Sequence, residues 1–168
     1  MNLRASIEHW LHKQWSKRGL FSWLLRPISL FSLAYIRHKQ EQPRTPLPKT
    51  RPPIIVVGNI IVGGAGKTPV VLALCDYLQN QGWTPGIISR GYGVHLKGGA
   101  LVGQGRLDAQ RYGDEPSLLA QQSGAPIAVH PKRVEALQAL IKHYPQVDVV
   151  IADDGLQHQA LARDIEII

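Results

Sequence analysis

Residues 54–69 read IIVVGNIIVGGAGKTP, and residues 70–79 continue VVLALCDYLQ. Ile54–Val57 is a short β-branched run between Pro53 and Gly58, the pattern of a parallel strand buried on both faces. Val70–Gln79 has the spacing of a buried helix. The two are joined by a glycine-rich loop that ends in Gly63-Gly64-Ala65-Gly66-Lys67-Thr68-Pro69. Strand, glycine loop, Lys-Thr and helix, in that order, make a phosphate-binding P-loop. Gly63, Gly64 and Gly66 let the backbone approach phosphate where a Cβ would block it, and the helix start adds its positive dipole end. Lys67 supplies a point charge to the β/γ-phosphates and Thr68 a hydroxyl to Mg²⁺. ATP and Mg²⁺ are therefore the expected cofactors. Pro69 is tolerated because the first helical turn has spare N–H groups. One departure stands out: the usual glycine five places before Gly66 is Ile61, and the nearest upstream glycine is Gly58. The loop is longer than usual or starts differently.

Towards the C-terminus, Val147–Ala152 is a second buried-strand pattern, and it ends in Asp153-Asp154-Gly155. Carboxylates at the C-terminal end of a parallel strand sit where α/β sheets bind ligands. Two of them beside phosphates repel unless a cation lies between. Asp153 and Asp154 thus predict a metal site, although Asp-Gly is also a turn signal. Alternate strand residues face opposite ways, so which carboxylate meets the ion stays open. Ile87–Ser89 reads as a strand followed by Arg90-Gly91-Tyr92-Gly93. Arg90 can clamp phosphate bidentately and Tyr92 can stack on a ring; a simple turn explains the segment as well.

Asp114, in Gly113-Asp114-Glu115-Pro116, is placed either as a helix N-cap or as a general base towards a hydroxyl. Pro126–Val129 reads as a strand and Arg133–Tyr144 as an amphipathic helix. Arg133, near that helix's start, is available to an anionic substrate or is an ordinary solvated arginine. His158 follows the acidic motif, and a lone histidine is more often structural. Strands alternating with helices give an α/β fold, P-loop NTPase-like, with a mostly parallel sheet and flanking helices. Ile165–Ile168 start another strand where the chain stops, which suggests one part of a longer protein.

The whole chain has 168 residues, 44% of them hydrophobic and 18% charged, which excludes disorder as the main state. A single cysteine, Cys75, excludes an internal disulfide framework and any multi-cysteine zinc site. The net charge of +7 is uneven: residues 1–51 carry ten Lys/Arg against two acids, while residues 52–168 carry nine against ten. A basic leader suits a polyanion, either nucleic acid or an anionic membrane. Leu3, Ile7, Trp10, Leu11 and Trp15 form one helical stripe, and Leu20–Ile36 is apolar nearly all round. Trp and basic residues beside such a stretch favour the headgroup region of a bilayer over nucleic acid. Arg26-Pro27 interrupts the run, because Pro breaks or kinks a helix, so the leader is read as interfacial rather than spanning. Ordinary packing against the domain and a secretory signal peptide are the rival readings. Residues 1–39 are thus the leader, residues 40–53 (five prolines) a linker, and residues 54–168 the catalytic domain.

Together, GNIIVGGAGKTP (58–69), SRGYG (89–93), GDEP (113–116) and ADDGLQH (152–158) resemble the tetraacyldisaccharide 4′-kinase family of lipid A biosynthesis. The resemblance implies transfer of the ATP γ-phosphoryl group to the 4′-hydroxyl of a tetraacylated glucosamine disaccharide 1-phosphate, on the cytoplasmic face of the bacterial inner membrane. It implies nucleotide and Mg²⁺ roles for Lys67 and Thr68, a catalytic Asp114, and an acidic motif of Asp153, Asp154, Gln157 and His158. It places Arg90, Tyr92 and Arg133 on the substrate side. The family's second α/β lobe, with a histidine thought to assist the aspartate, has no counterpart here, so this piece alone is expected to turn over little. A P-loop switch or metallochaperone is the alternative reading.

Overall fold

The computed structural model describes residues 26–41, 51–59, 66–91, 98–156, 158 and 160–168. The chain divides into two compact units, Met1–Gln42 and Pro43–Ile168. Of the first, only helix α1 (Arg26–Glu41) is described. Pro27 lies in the first turn of this helix, where no N–H is needed; the run before Arg26, on which the interruption was read, lies outside the described residues. Ile28, Leu30, Phe31, Leu33 and Tyr35 are exposed along it. No helix among the described residues is long and apolar enough to cross a membrane.

The second unit is a six-stranded sheet. In chain order its elements are β1 (Ile54–Val57), α2 (Lys67–Asn80), β2 (Pro85–Ser89), β3 (Leu101–Gly103), α3 (Ala109–Tyr112), α4 (Asp114–Ser123), β4 (Ile127–Val129), α5 (Arg133–His143), β5 (Val149–Asp153) and β6 (Ile165–Ile167). The strand order is β3-β4-β2-β5-β1-β6. Every pairing is parallel except β3 with β4. The sequence did not mark β3: three residues, the last a glycine, carry too little pattern.

Strand parity sorts the core into two layers. Ile55, Val57, Ile87 and Ile151 pack with Val71 and Cys75 of α2 and with Leu119 of α4. Ile54, Val56, Ile88 and Val150 pack on the other face with Ala136, Leu137 and Leu140 of α5. Both faces are covered by helices, as a parallel sheet requires. The register sets Val57 beside Asp153, so the loop leaving β1 and the acidic end of β5 emerge side by side.

Candidate active site

Helix α2 begins at Lys67, three residues before the start predicted from hydrophobic spacing, so Lys67 and Thr68 stand in its first turn. Gly66 precedes it with φ 72°, a left-handed backbone that a side chain would strain. Gly63, Gly64 and Ala65 lie outside the described residues, as do Tyr92 and Gln157. Gly58, the loop's upstream glycine, serves packing: a Cβ there would collide with Leu156 Cγ and Cδ1.

Lys67 Nζ donates to Asp154 Oδ1 at 2.8 Å. That bond, more than the opposing effect of burial, holds the ammonium pKa above its usual value. Thr68 Oγ1 donates to Glu115 Oε1 at 2.8 Å. Asp153 shares the parity of Ile151 and so points to the α2/α4 side of the sheet. It is 1% exposed; Ser89 Oγ donates to its Oδ2 at 3.2 Å, and its Oδ1 has no hydrogen-bond partner among the described residues. Burial first, and then the nearby charge of Glu115, push its pKa up to about 6. Asp154 turns the chain with φ 51°, and its carboxylate reaches Lys67. Asp154 therefore meets Lys67 from the turn, while Asp153, at the end of the strand, lies close enough for its charge to act on the same ammonium.

The structure adds two residues that sequence reasoning missed, Glu115 and Ser89. Glu115 lay inside a motif already singled out, but no spacing rule connects it to a hydroxyl 47 positions earlier. Asp114 is exposed at the first helical position of α4, and Gly113 occupies the cap position expected for Asp114. Arg90 is exposed just past β2, close enough for its charge to act on Arg133. Arg133 is not the solvated arginine of one sequence reading. It is 1% exposed, and its guanidinium donates to the carbonyls of Asp153 (2.8 Å) and Asp154 (3.3 Å). Half-buried His158 donates its backbone N–H to Gly155 and lines a cavity of about 460 Å³ with Lys132, Arg133 and Leu161.

No three His, Cys, Asp or Glu side chains among the described residues converge into a ready-made metal cage. Mg²⁺ seldom needs one, since it takes one or two carboxylates and completes its shell with water and phosphate. The buried Asp153 Oδ1, without a hydrogen-bond partner among the described residues and within the influence of Glu115, is an oxygen of the type such an ion takes. The residues fit the group.

The model of the tetraacyldisaccharide-1-P 4′-kinase family matches residues 21–168. A tetraacyldisaccharide 4′-kinase of Bordetella parapertussis is 49% identical over 100% of this chain and 49% of its own length. One from Methylibium petroleiphilum is 44% identical over 98% of this chain and 47% of its own length. The crystal structure of LpxK from Aquifex aeolicus, described as an "apo" form in complex with ATP, superposes with a TM-score of 0.70 at 32% identity. It covers 87% of this chain and 45% of that one. The chain thus spans about half the length of the relatives it matches. None of these matches favours the switch or metallochaperone alternative. On the match over residues 21–168, the chain belongs to the tetraacyldisaccharide-1-P 4′-kinase family.

Proposed function

We propose that this chain carries the nucleotide-binding half of a kinase that moves the γ-phosphoryl group of ATP to the 4′-hydroxyl of a tetraacylated glucosamine disaccharide 1-phosphate. The observation that supports this most is the meeting of Lys67, Thr68, Glu115, Asp153 and Asp154 where β1 and β5 end. Lys67, resting on Asp154, is the cation for the β/γ-phosphates. Thr68, Asp153 and Asp154, with Glu115, would hold Mg²⁺, which when bound neutralises charge on the phosphates. Backbone N–H groups of Gly63–Gly66 and the start of α2 receive the phosphate oxygens.

Asp114 is the general base. It takes the proton of the acceptor hydroxyl as the new oxygen–phosphorus bond forms and the β–γ bridging oxygen leaves with ADP. Its place beside Glu115 supports that role, and the cap position is filled by Gly113. Arg90, Tyr92, Gln157 and His158 are placed on the acceptor side. Residues 1–39 form a leader that holds the enzyme to the cytoplasmic face of the inner membrane, residues 40–53 a linker, and residues 54–168 the catalytic domain. The exposed apolar residues of α1 support the membrane contact.

The test is transfer of labelled phosphate from ATP to the acylated disaccharide by the complete gene product with Mg²⁺. Asp114→Ala is expected to cut kcat by about 10²–10⁴-fold while leaving ATP affinity within about twofold. No phosphorylated lipid from the parent protein, or hydrolysis indifferent to lipid, refutes the proposal.

A further inference from the structure

Arg133, like Asp153, is only 1% exposed, and it spends its charge on main-chain carbonyls rather than on a carboxylate. Burial pushes its pKa down to about 10, an opposition only partly relieved by Asp153 and Asp154. Its Nη2 donates to the carbonyls of Asp153 at 2.8 Å and Asp154 at 3.3 Å, and its Nη1 to the carbonyl of His130 at 3.4 Å. One planar group therefore spans the ends of β4 and β5. At the second of these ends, Asp154 holds φ 51°, the left-handed region that favours glycine and that few side chains other than Asn and Asp enter. Such a backbone persists only where its surroundings over-determine it. Two contacts do so here: Arg133 on the carbonyl and Lys67 on the carboxylate.

We propose that Arg133 is a positioning residue, which fixes the Asp153–Asp154 peptide so that the two carboxylates face Lys67 and the Thr68–Glu115 pair. The proposal rests on the nucleotide-binding reading above and goes past it in saying what sets the aim of the acidic turn. The fork of the guanidinium is essential to it. A lysine ammonium at the same place keeps the charge but is a single point donor, unable to brace carbonyls from two strands.

The complete gene product and its Arg133→Lys and Arg133→Met variants test this, by calorimetric titration with ATP in the presence and absence of Mg²⁺ and by kinetics. Groups that orient metal ligands typically contribute 10- to 100-fold in affinity or activity. Arg133→Lys is expected to weaken Mg²⁺-dependent ATP binding by at least about tenfold. Metal-free ATP binding should stay within about twofold, and kcat should fall at an unchanged KM for the lipid acceptor. Should Arg133→Met not fold, Arg133→Lys decides alone. A raised acceptor KM with unaltered Mg²⁺ dependence would make Arg133 a substrate contact and overturn the proposal. A lowered Tm with Mg²⁺–ATP binding intact would reduce it to packing and overturn it too. A parent protein that binds Mg²⁺–ATP but phosphorylates no lipid refutes the kinase reading and leaves this one standing.

Discussion

Burial pushes the Asp153 carboxyl from 3.8 up to about 6, and the nearby charge of Glu115 adds to the effect. Below about pH 4 the folded and unfolded chains both hold that proton and there is no penalty. Between about 4 and 6 the unfolded chain ionises first, so the fold loses stability as pH rises. Above 6 the loss is complete, at about 3 kcal/mol for a shift of this size. Asp153→Asn should therefore raise Tm in metal-free buffer at pH 8 and leave it unchanged at pH 4; a variant no more stable than its parent at pH 8 contradicts this. Adding Mg²⁺ and ATP should narrow the gap, because the parent alone then has a counter-charge for the carboxylate. The presence of Asp153 and Asp154 was legible in the sequence; their division of labour was not. It follows from strand parity and from a positive φ at Asp154. Glu115 was hidden for a different reason, since its partner Thr68 is a tertiary neighbour that no periodicity announces.

At the level of elements, β1, α2, β2, β4, α5, β5 and β6 were all readable, because each has an apolar run or a helical stripe dense enough to declare its period. Strand β3 and the four-residue α3 were not, and neither carries such a run. Helix starts were misjudged where polar functional residues occupy the first turn, as Lys67 and Thr68 do in α2. Gly58 joins two elements. It follows β1, donates its N–H to Ile167 at 3.0 Å, and leaves room for Leu156 of the acidic turn. Gly58→Ala is expected to cost about 1–3 kcal/mol through overpacking. The Leu156 Cβ, 3.1 Å from the added methyl, must move as well as its tip, so the turn shifts. Chemical denaturation checks the stability; a loss below about 0.5 kcal/mol, the ordinary surface value, would mean Leu156 swings clear.

For the whole molecule, the fold class was settled by one strand–loop–helix passage and the alternation that follows it, whereas the basic, apolar leader bears on location rather than fold. Deleting residues 1–36 is expected to release most of the protein from liposomes of anionic lipid, as measured by flotation. Unchanged partitioning would return the leader to ordinary packing.

The strand order carries one more consequence. β1 lies between β5 and β6, so the strand that launches the P-loop has both its neighbours near the other end of the described chain. On the ribosome, Ile54–Val57 emerges early and must wait about a hundred residues for a hydrogen-bonding partner. The phosphate cradle is accordingly a late product of synthesis, and a nascent chain halted before Val149 would hold β1 without either flank.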